Sequence, residues 1–230
     1  MTATTLVVSE VFGPTVQGEG PSTGRRAGFV RLGRCNLACR WCDTPYTWDW
    51  QRFDPAVELS DRAVGDVAAE VTAMRVPLVV ITGGEPLIQQ RGLAELLDRL
   101  TPAHDIEIET AGTIAPEAAV VERTARFNVS PKLASSGNPA GRRYHPDVLR
   151  AFEATDKAIF KFVVTDAADL DEIEAIVDEC GLTDIWLMPE GTDADAITAG
   201  LRALAEPVLA RGWNLTGRLH VLLWGDQRGH

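Results

Sequence analysis

No apolar run in the 230-residue chain approaches 18 residues, so no segment reads as a membrane-spanning helix. The first ten residues, Met1–Glu10, lack the basic n-region and the apolar h-region of a signal peptide, and the expected compartment is the cytosol. Positive charge is scarce: 22 Lys and Arg stand against 33 Asp and Glu, a net charge of −11. So acidic a chain repels phosphates, which argues against non-specific nucleic-acid binding. There is no linker, low-complexity stretch or break in composition, and residues 1–230 are expected to form a single domain. An apolar fraction of 45% and a charged fraction of 24% exclude a disordered chain, a collagen-like chain and a coiled-coil rod. Cysteine is rare too. Of four, Cys35, Cys39 and Cys42 fall within eight residues and Cys180 stands far away. This is not the spread-out pattern of an extracellular disulfide framework. In a reducing compartment, so tight a trio points to metal binding or redox chemistry.

What is present is an alternation of short apolar runs with helical patterns. Strands are predicted at Gly28–Leu32, Leu78–Thr82, Ile106–Thr110, Phe127–Ser130, Ala158–Val164 and Ile185–Met188. Helices are predicted at Asp61–Met74, Gly92–Leu100, Pro116–Arg123, His145–Ala154, Leu170–Cys180 and Asp193–Leu209, with a short N-terminal segment before them and a tail after. About six βα units imply a parallel sheet covered by helices. A closed eight-fold barrel needs roughly 250 residues. The expected fold is therefore α/β, a partial, open (β/α)6 barrel. Ser135–Arg143 reads as an exposed loop, and Cys180 as part of a buried helical stripe.

In such folds ligands sit at the carboxyl ends of the strands. Polar and glycine-rich residues collect there, at Thr82–Pro86, Glu109–Gly112, Ser130–Lys132 and Met188–Gly191, and suggest one lined cavity. The cysteines form a CxxxCxxC loop after the first predicted strand. Three thiolates so close can converge on one metal centre with a position left open, whereas structural zinc takes four closed ligands. A 4Fe-4S cluster held by three cysteines has one iron free to bind a substrate or cofactor. A three-thiolate zinc site closed by a distant histidine is the alternative.

The CxxxCxxC loop, with Trp41 before its last cysteine and Gly83-Gly84-Glu85-Pro86 after the next strand, resembles the radical S-adenosylmethionine (SAM) superfamily. Within it, Val16–Gly20 (VQGEG), Phe29–Leu32, Cys39–Thr44 (CRWCDT), Val80–Pro86, Ile108–Thr110, Val129–Lys132 and His220–Trp224 resemble the 7-carboxy-7-deazaguanine synthases of queuosine and deazapurine biosynthesis. The matching runs cover nearly the whole chain in order.

The resemblance implies a 4Fe-4S cluster on Cys35, Cys39 and Cys42 and SAM on its open iron. Contacts to SAM would come from Trp41, Cys42 and Asp43 on the adenine side, from Gly84 and Glu85 at the amino group, and from Ser130, Pro131 and Lys132. Met188–Gly191 would add a further contact, although the family often has Gln where this chain has Met188. The implied substrate is 6-carboxy-5,6,7,8-tetrahydropterin. Arg31 would grip its carboxylate, since a guanidinium fork suits bidentate binding. Val16, Gln17, Gly18 and Glu19 would read the pterin edge, and Thr82 would touch substrate from its strand end. Thr44 matches a threonine that binds Mg²⁺ in the family. His220 matches a tail histidine near the substrate. No side chain is singled out as an acid, base or nucleophile.

The implied reaction is a radical ring contraction. A deoxyadenosyl radical takes a hydrogen atom from pterin C6, ammonia is lost, and SAM is regenerated. The expected partners are the small pterin, a reductant such as flavodoxin or ferredoxin, and a second copy of the chain in a homodimer. Two other readings use the same residues. A glycyl-radical activating enzyme shares the cysteines and the GGEP loop but has no need of VQGEG or CDT. The other is not an enzyme but a zinc or iron-sulfur module, which a colourless protein holding one zinc on anaerobic reconstitution would favour.

Overall fold

The structure, a computed structural model, describes residues 4–229. Met1–Ala3, the start of the segment read for signal features, and His230 lie outside the described residues. In chain order the elements are β1 (Thr5–Val16), β2 (Arg26–Leu32), α1 (Pro55–Glu58), β3 (Ser60–Ala63), α2 (Val64–Ala73), β4 (Leu78–Gly83), α3 (Gln90–Leu100), β5 (Asp105–Thr110) and α4 (Ala118–Arg123). They continue with β6 (Arg126–Val129), α5 (Ala140–Arg143), α6 (Pro146–Glu153), β7 (Ala158–Val164), α7 (Ala168–Cys180), β8 (Ile185–Pro189), α8 (Ala194–Ala210), β9 (Asn214–Leu215) and α9 (Leu219–Trp224). The described strands form one sheet in the order β3-β1-β2-β4-β5-β6-β7-β8-β9. From β2 to β9 every neighbouring pair is parallel, while β1 runs antiparallel to both β2 and β3. The sheet does not close on itself, as expected of a partial barrel. No helix among the described residues is long and apolar enough to cross a membrane.

Side chains alternate across each strand, so the two faces of the sheet can carry different chemistry. The outward phase is apolar and packs under the helices. Val79 and Ile81, Ile106 and Ile108, Phe127 and Val129, Phe160 and Phe162, and Ile185 and Leu187 all belong to one core. Leu93, Leu96, Leu97 and Leu100 of α3 pack into the same core, each fully buried. The inward phase starts apolar, with Ala27, Phe29, Leu78 and Val80 in a small separate cluster backed by Phe12. Phe12 and Phe29 stack with ring centroids 4.9 Å apart. Further round, the inward phase turns polar: Thr82, Glu107, Asn128 and Lys161 are buried inside the curve, and Glu109 is half-buried beside them.

Several sequence expectations need correction. The helix predicted from Asp61 starts at Val64, because residues 60–63 pair in antiparallel register with β1 (Leu6 opposite Arg62, Val7 opposite Asp61). The N-terminal segment is a 12-residue strand that forms one wall of the barrel. The fourth helix begins at Ala118 rather than Pro116, since Gln90 donates to the Ala115 carbonyl at 3.0 Å and accepts from the Glu117 N–H at 2.6 Å, holding the connection extended. The predicted tail contains α9. The exposed loop at Ser135–Arg143 is in part interior: Ser136, Asn138 and Arg143 are buried, at 0%, 7% and 9% exposure. It folds against the cysteine loop. Cys180 is buried in the core, as its helical stripe implies.

Candidate active site

One cavity opens at the carboxyl ends of the parallel strands. The cysteine loop walls one side, and Cys35, Cys39 and Cys42 all line it as free thiols. Each sulfur receives an N–H. The Leu37 backbone donates to Cys35 at 3.4 Å, the Asn138 amide to Cys39 at 3.3 Å, and the Trp48 indole to Cys42 at 3.3 Å. Burial pushes the Cys35 thiol up to about 12 and raises that of Cys39. Thiols held so high ionise against the charge of a metal. Among the described residues no three His, Cys, Asp or Glu side chains close on a single point. Three sulfurs spaced around one cavity suit a multi-iron cluster, in which each iron takes its own thiolate, better than a single ion.

The next wall is the strand end after β4. Gly84 donates its N–H to the Leu32 carbonyl at 3.0 Å, and Glu85 donates to that of Arg34 at 2.8 Å. A Cβ on Gly84 would lie 1.9 Å from the Arg34 carbonyl oxygen, so only glycine permits this backbone approach. Gly83 and Gly84 line the cavity, but the Glu85 side chain does not. Its carboxylate is fully buried and accepts from the backbone N–H groups of Leu87 (3.0 Å) and Ala111 (2.8 Å) and from the Thr110 hydroxyl (2.8 Å). Burial raises its pKa against those bonds. Glu85, the residue expected at the SAM amino group, fastens the turn to β5 with its side chain, and the Gly83-Gly84 backbone faces the cavity. Pro131 also stays out of the lining, as a buried spacer between Ser130 and Lys132, which both enter it. Lys132 donates to Ser130 at 2.8 Å and sits 5.5 Å from the Trp41 ring centroid.

The far wall comes from the β1–β2 connection and the inward phase of the sheet. Val16, Gln17, Gly18, Glu19, Arg31 and Thr82 all line it, as do Trp41, Asp43 and Thr44 from the cysteine side. Arg31 is fixed by donating to Glu10 at 2.6 Å, and the Tyr46 hydroxyl donates to the same carboxylate at 3.0 Å. The Thr44 hydroxyl lies 3.7 Å from Cys42 Sγ.

Glu109, Asn128, Lys161 and Arg218 line the cavity with no role assigned from sequence. Glu109 accepts from Gln17 at 3.1 Å and from Thr82 at 2.7 Å. Glu19 pairs with Lys161 and with Arg218, and Arg218 pairs in turn with Asp43 and donates to the Gly191 carbonyl at 2.8 Å. Burial alone would raise the Glu19 pKa, but Lys161 and then Arg218 reverse this and hold it far below the carboxylate range. Burial lowers the pKa of His220, which crowds Gly18 so closely that a Cβ there would come within 1.9 Å of its ring. The legible signal for Glu109, Asn128 and Lys161 was a charge or amide on the inward phase of a strand whose outward phase is apolar. No sequence signal marked Arg218.

The model of the radical SAM superfamily matches residues 30–159 of the chain. The chain belongs to the radical SAM superfamily. Membership brings a 4Fe-4S cluster and SAM as cofactors, and the thiol set and the side-chain-free Gly83-Gly84 turn fit them. Within the superfamily, the chain is 38% identical over the full length of both chains to the 7-carboxy-7-deazaguanine synthase of Pyrobaculum aerophilum. It is 35% identical to that of Halobacterium salinarum, over 96% of this chain and 91% of the relative. Among solved structures, the radical SAM fold is shared with QueE from Escherichia coli at TM-score 0.69 and 28% identity, covering 94% and 95% of the two chains.

Proposed function

We propose that the chain is a 7-carboxy-7-deazaguanine synthase, which converts 6-carboxy-5,6,7,8-tetrahydropterin to 7-carboxy-7-deazaguanine and ammonia. The observation that carries this reading is that the cysteine trio and the VQGEG loop, separated by 14 positions of sequence between Gly20 and Cys35 and by the whole of β2, line one cavity. In this reading residues 1–230 act as one radical SAM domain.

When bound, the cluster and SAM supply a deoxyadenosyl radical able to take the hydrogen atom from pterin C6. The residues of the chain bind, orient and shield. Cys35, Cys39 and Cys42 hold the cluster. The Gly83-Gly84 backbone, Ser130 and Lys132 receive the polar end of SAM, and Trp41, Cys42 and Asp43 its adenine side. Arg31, with its Nε committed to Glu10, retains its terminal nitrogens for the substrate carboxylate. Gln17 and Glu109 present an amide and a carboxylate suited to the donor and acceptor edge of a pterin, with Thr82 keeping Glu109 in place. The hard hydroxyl oxygen of Thr44 suits Mg²⁺, which also takes substrate oxygens and waters. The cavity's depth among Phe12, Phe29 and Val163 keeps water from a radical centre. An external one-electron donor of the flavodoxin or ferredoxin class, a cytosolic location and a homodimer complete the reading.

The test is anaerobic incubation of reconstituted protein with the carboxylated pterin, SAM and reductant. The expected result is 7-carboxy-7-deazaguanine formed over many turnovers, with SAM not consumed in proportion. Deoxyadenosine formed without the deazapurine would defeat the substrate assignment. A colourless protein holding one zinc would defeat the enzyme assignment.

A further inference from the structure

The segment expected to be an exposed loop is instead a clasp around the cysteine loop. The Ser136 carbonyl accepts from the Arg40 N–H at 3.0 Å, and Arg142 donates to the Asn36 carbonyl at 2.7 Å. Gly137, at φ +79°, passes so close that a Cβ would meet Arg40 Nε at 2.5 Å. Between these anchors sits Asn138. Its Oδ1 accepts from the Ala38 N–H at 2.9 Å, and its Nδ2 donates to Cys39 Sγ at 3.3 Å and to Ser136 Oγ at 3.2 Å. The Ala38 contact fixes which way the amide points, so a nitrogen faces the sulfur. On the opposite side, the Trp48 indole N–H meets Cys42 Sγ at 3.3 Å. Trp48 has no alternative side-chain polarity to present: its only polar atom is a donor.

We propose that Asn138 and Trp48 are positioning residues that set the reduction potential of the cluster, by giving side-chain N–H bonds to the sulfurs of Cys39 and Cys42. The inference rests on the assignment of those cysteines as cluster ligands. Reduction adds one electron, taken from an external one-electron donor, to the cluster. Negative charge on the thiolate sulfurs grows with it, and an N–H aimed at a sulfur stabilises the reduced form more than the oxidised one. Removing the donor therefore moves the potential negative. The effect matters in this fold because the chain must accept an electron before any cofactor cleavage can follow.

The test is a potentiometric titration of the reconstituted holoenzyme, followed by electron paramagnetic resonance. Asn138→Asp keeps the acceptor for Ala38 and replaces the donor by a carboxylate oxygen. Trp48→Phe keeps an aromatic ring and removes the N–H. Each is expected to lower the reduced-to-oxidised ratio at the wild-type midpoint about three- to tenfold, tenfold being about 59 mV for one electron. Each is also expected to abolish one exchangeable-proton coupling to the reduced cluster. Arg142→Ala, which cuts the clasp away from sulfur, is expected to keep the wild-type midpoint. Cluster-loaded N138D and W48F with unchanged midpoints would overturn the inference. So would natively folded variants that bind no cluster, since the two side chains would then be structural only. A wild-type chain that binds no iron would instead defeat the ligand assignment itself.

Discussion

Arg218 donates to Glu19 at 3.0 Å and pairs also with Asp43, so one guanidinium near the end of the chain ties the β1–β2 connection to the cysteine loop. Its third bond, to the Gly191 carbonyl at 2.8 Å, adds the loop after β8. Three of the segments that line the cavity are thereby held in register by one side chain that is only 8% exposed.

Arg218→Ala leaves Asp43 without this cation and Glu19 with Lys161 alone. Breaking a buried pair costs about 3–5 kcal/mol. The variant is expected to lose stability of that order in chemical denaturation, and kcat/KM by at least about tenfold, equivalent to roughly 1.4 kcal/mol of transition-state binding. Arg218→Lys is expected not to restore activity, since a point charge cannot reach three partners in a fork.

Glu19 gives the chain a pH dependence of defined sign. Its pKa is lower folded than unfolded, because Lys161 and Arg218 outweigh burial. The stability it contributes is present above the ordinary glutamate pKa of about 4.3 and is lost as pH falls through and below that value. Melting temperature is expected to fall on acidification from about pH 5 to 3, and Glu19→Gln to flatten that limb while lowering the neutral-pH plateau. An acid limb as steep in E19Q as in wild type would assign it to other carboxylates.

The two glycines Gly84 and Gly65 should respond oppositely to alanine. At Gly84 a Cβ meets backbone at 1.9 Å, with no flexible neighbour to yield. At Gly65, in the first turn of α2, it meets nothing within 4 Å. G84A is expected to destabilise by about 1–3 kcal/mol or more and to weaken SAM binding. G65A is expected to stabilise by up to about 1 kcal/mol. Urea denaturation of both variants measures the difference directly.

Thr44→Ala separates magnesium from the cluster. The hydroxyl lies beside Cys42 without being a ligand atom of the thiolate set, so cluster absorbance and SAM affinity are expected to survive. The rise of turnover with added Mg²⁺ is expected to weaken severalfold. A magnesium titration indistinguishable from wild type would remove Thr44 from that role.

The parallel part of the fold was legible because its outward phase is continuously apolar and most of its strands end in a glycine or proline turn, as at Thr82–Pro86. β1 escaped notice because Ser9, Glu10 and the Gly13-Pro14 pair interrupt its pattern, and what makes it a strand is its pairing with β2 and β3. The cysteine spacing marked one wall of the cavity, and VQGEG its neighbour across it. The bonds of Glu85 to Thr110 and Ala111 were not legible, because these partners lie 25 and 26 positions away, on the next strand and just past its end. Asn138 and Arg218 were hidden in the same way. Their partners lie about a hundred or more positions away, at Cys39, Asp43 and Glu19, and local pattern carries no information about such pairs.

Arg228 stacks 4.0 Å above the Tyr46 ring and holds Glu58 at 2.8 Å and Glu10 at 3.1 Å, the same Glu10 that anchors Arg31. Glu10 is therefore shared between a guanidinium on the cavity side, Arg31, and a more exposed one on the outer side, Arg228. Loss of the Arg228 side chain leaves Glu10 with Arg31 and Tyr46 and takes from Glu58 its Arg228 partner, so a side chain outside the cavity lining bears on how firmly Arg31 is held.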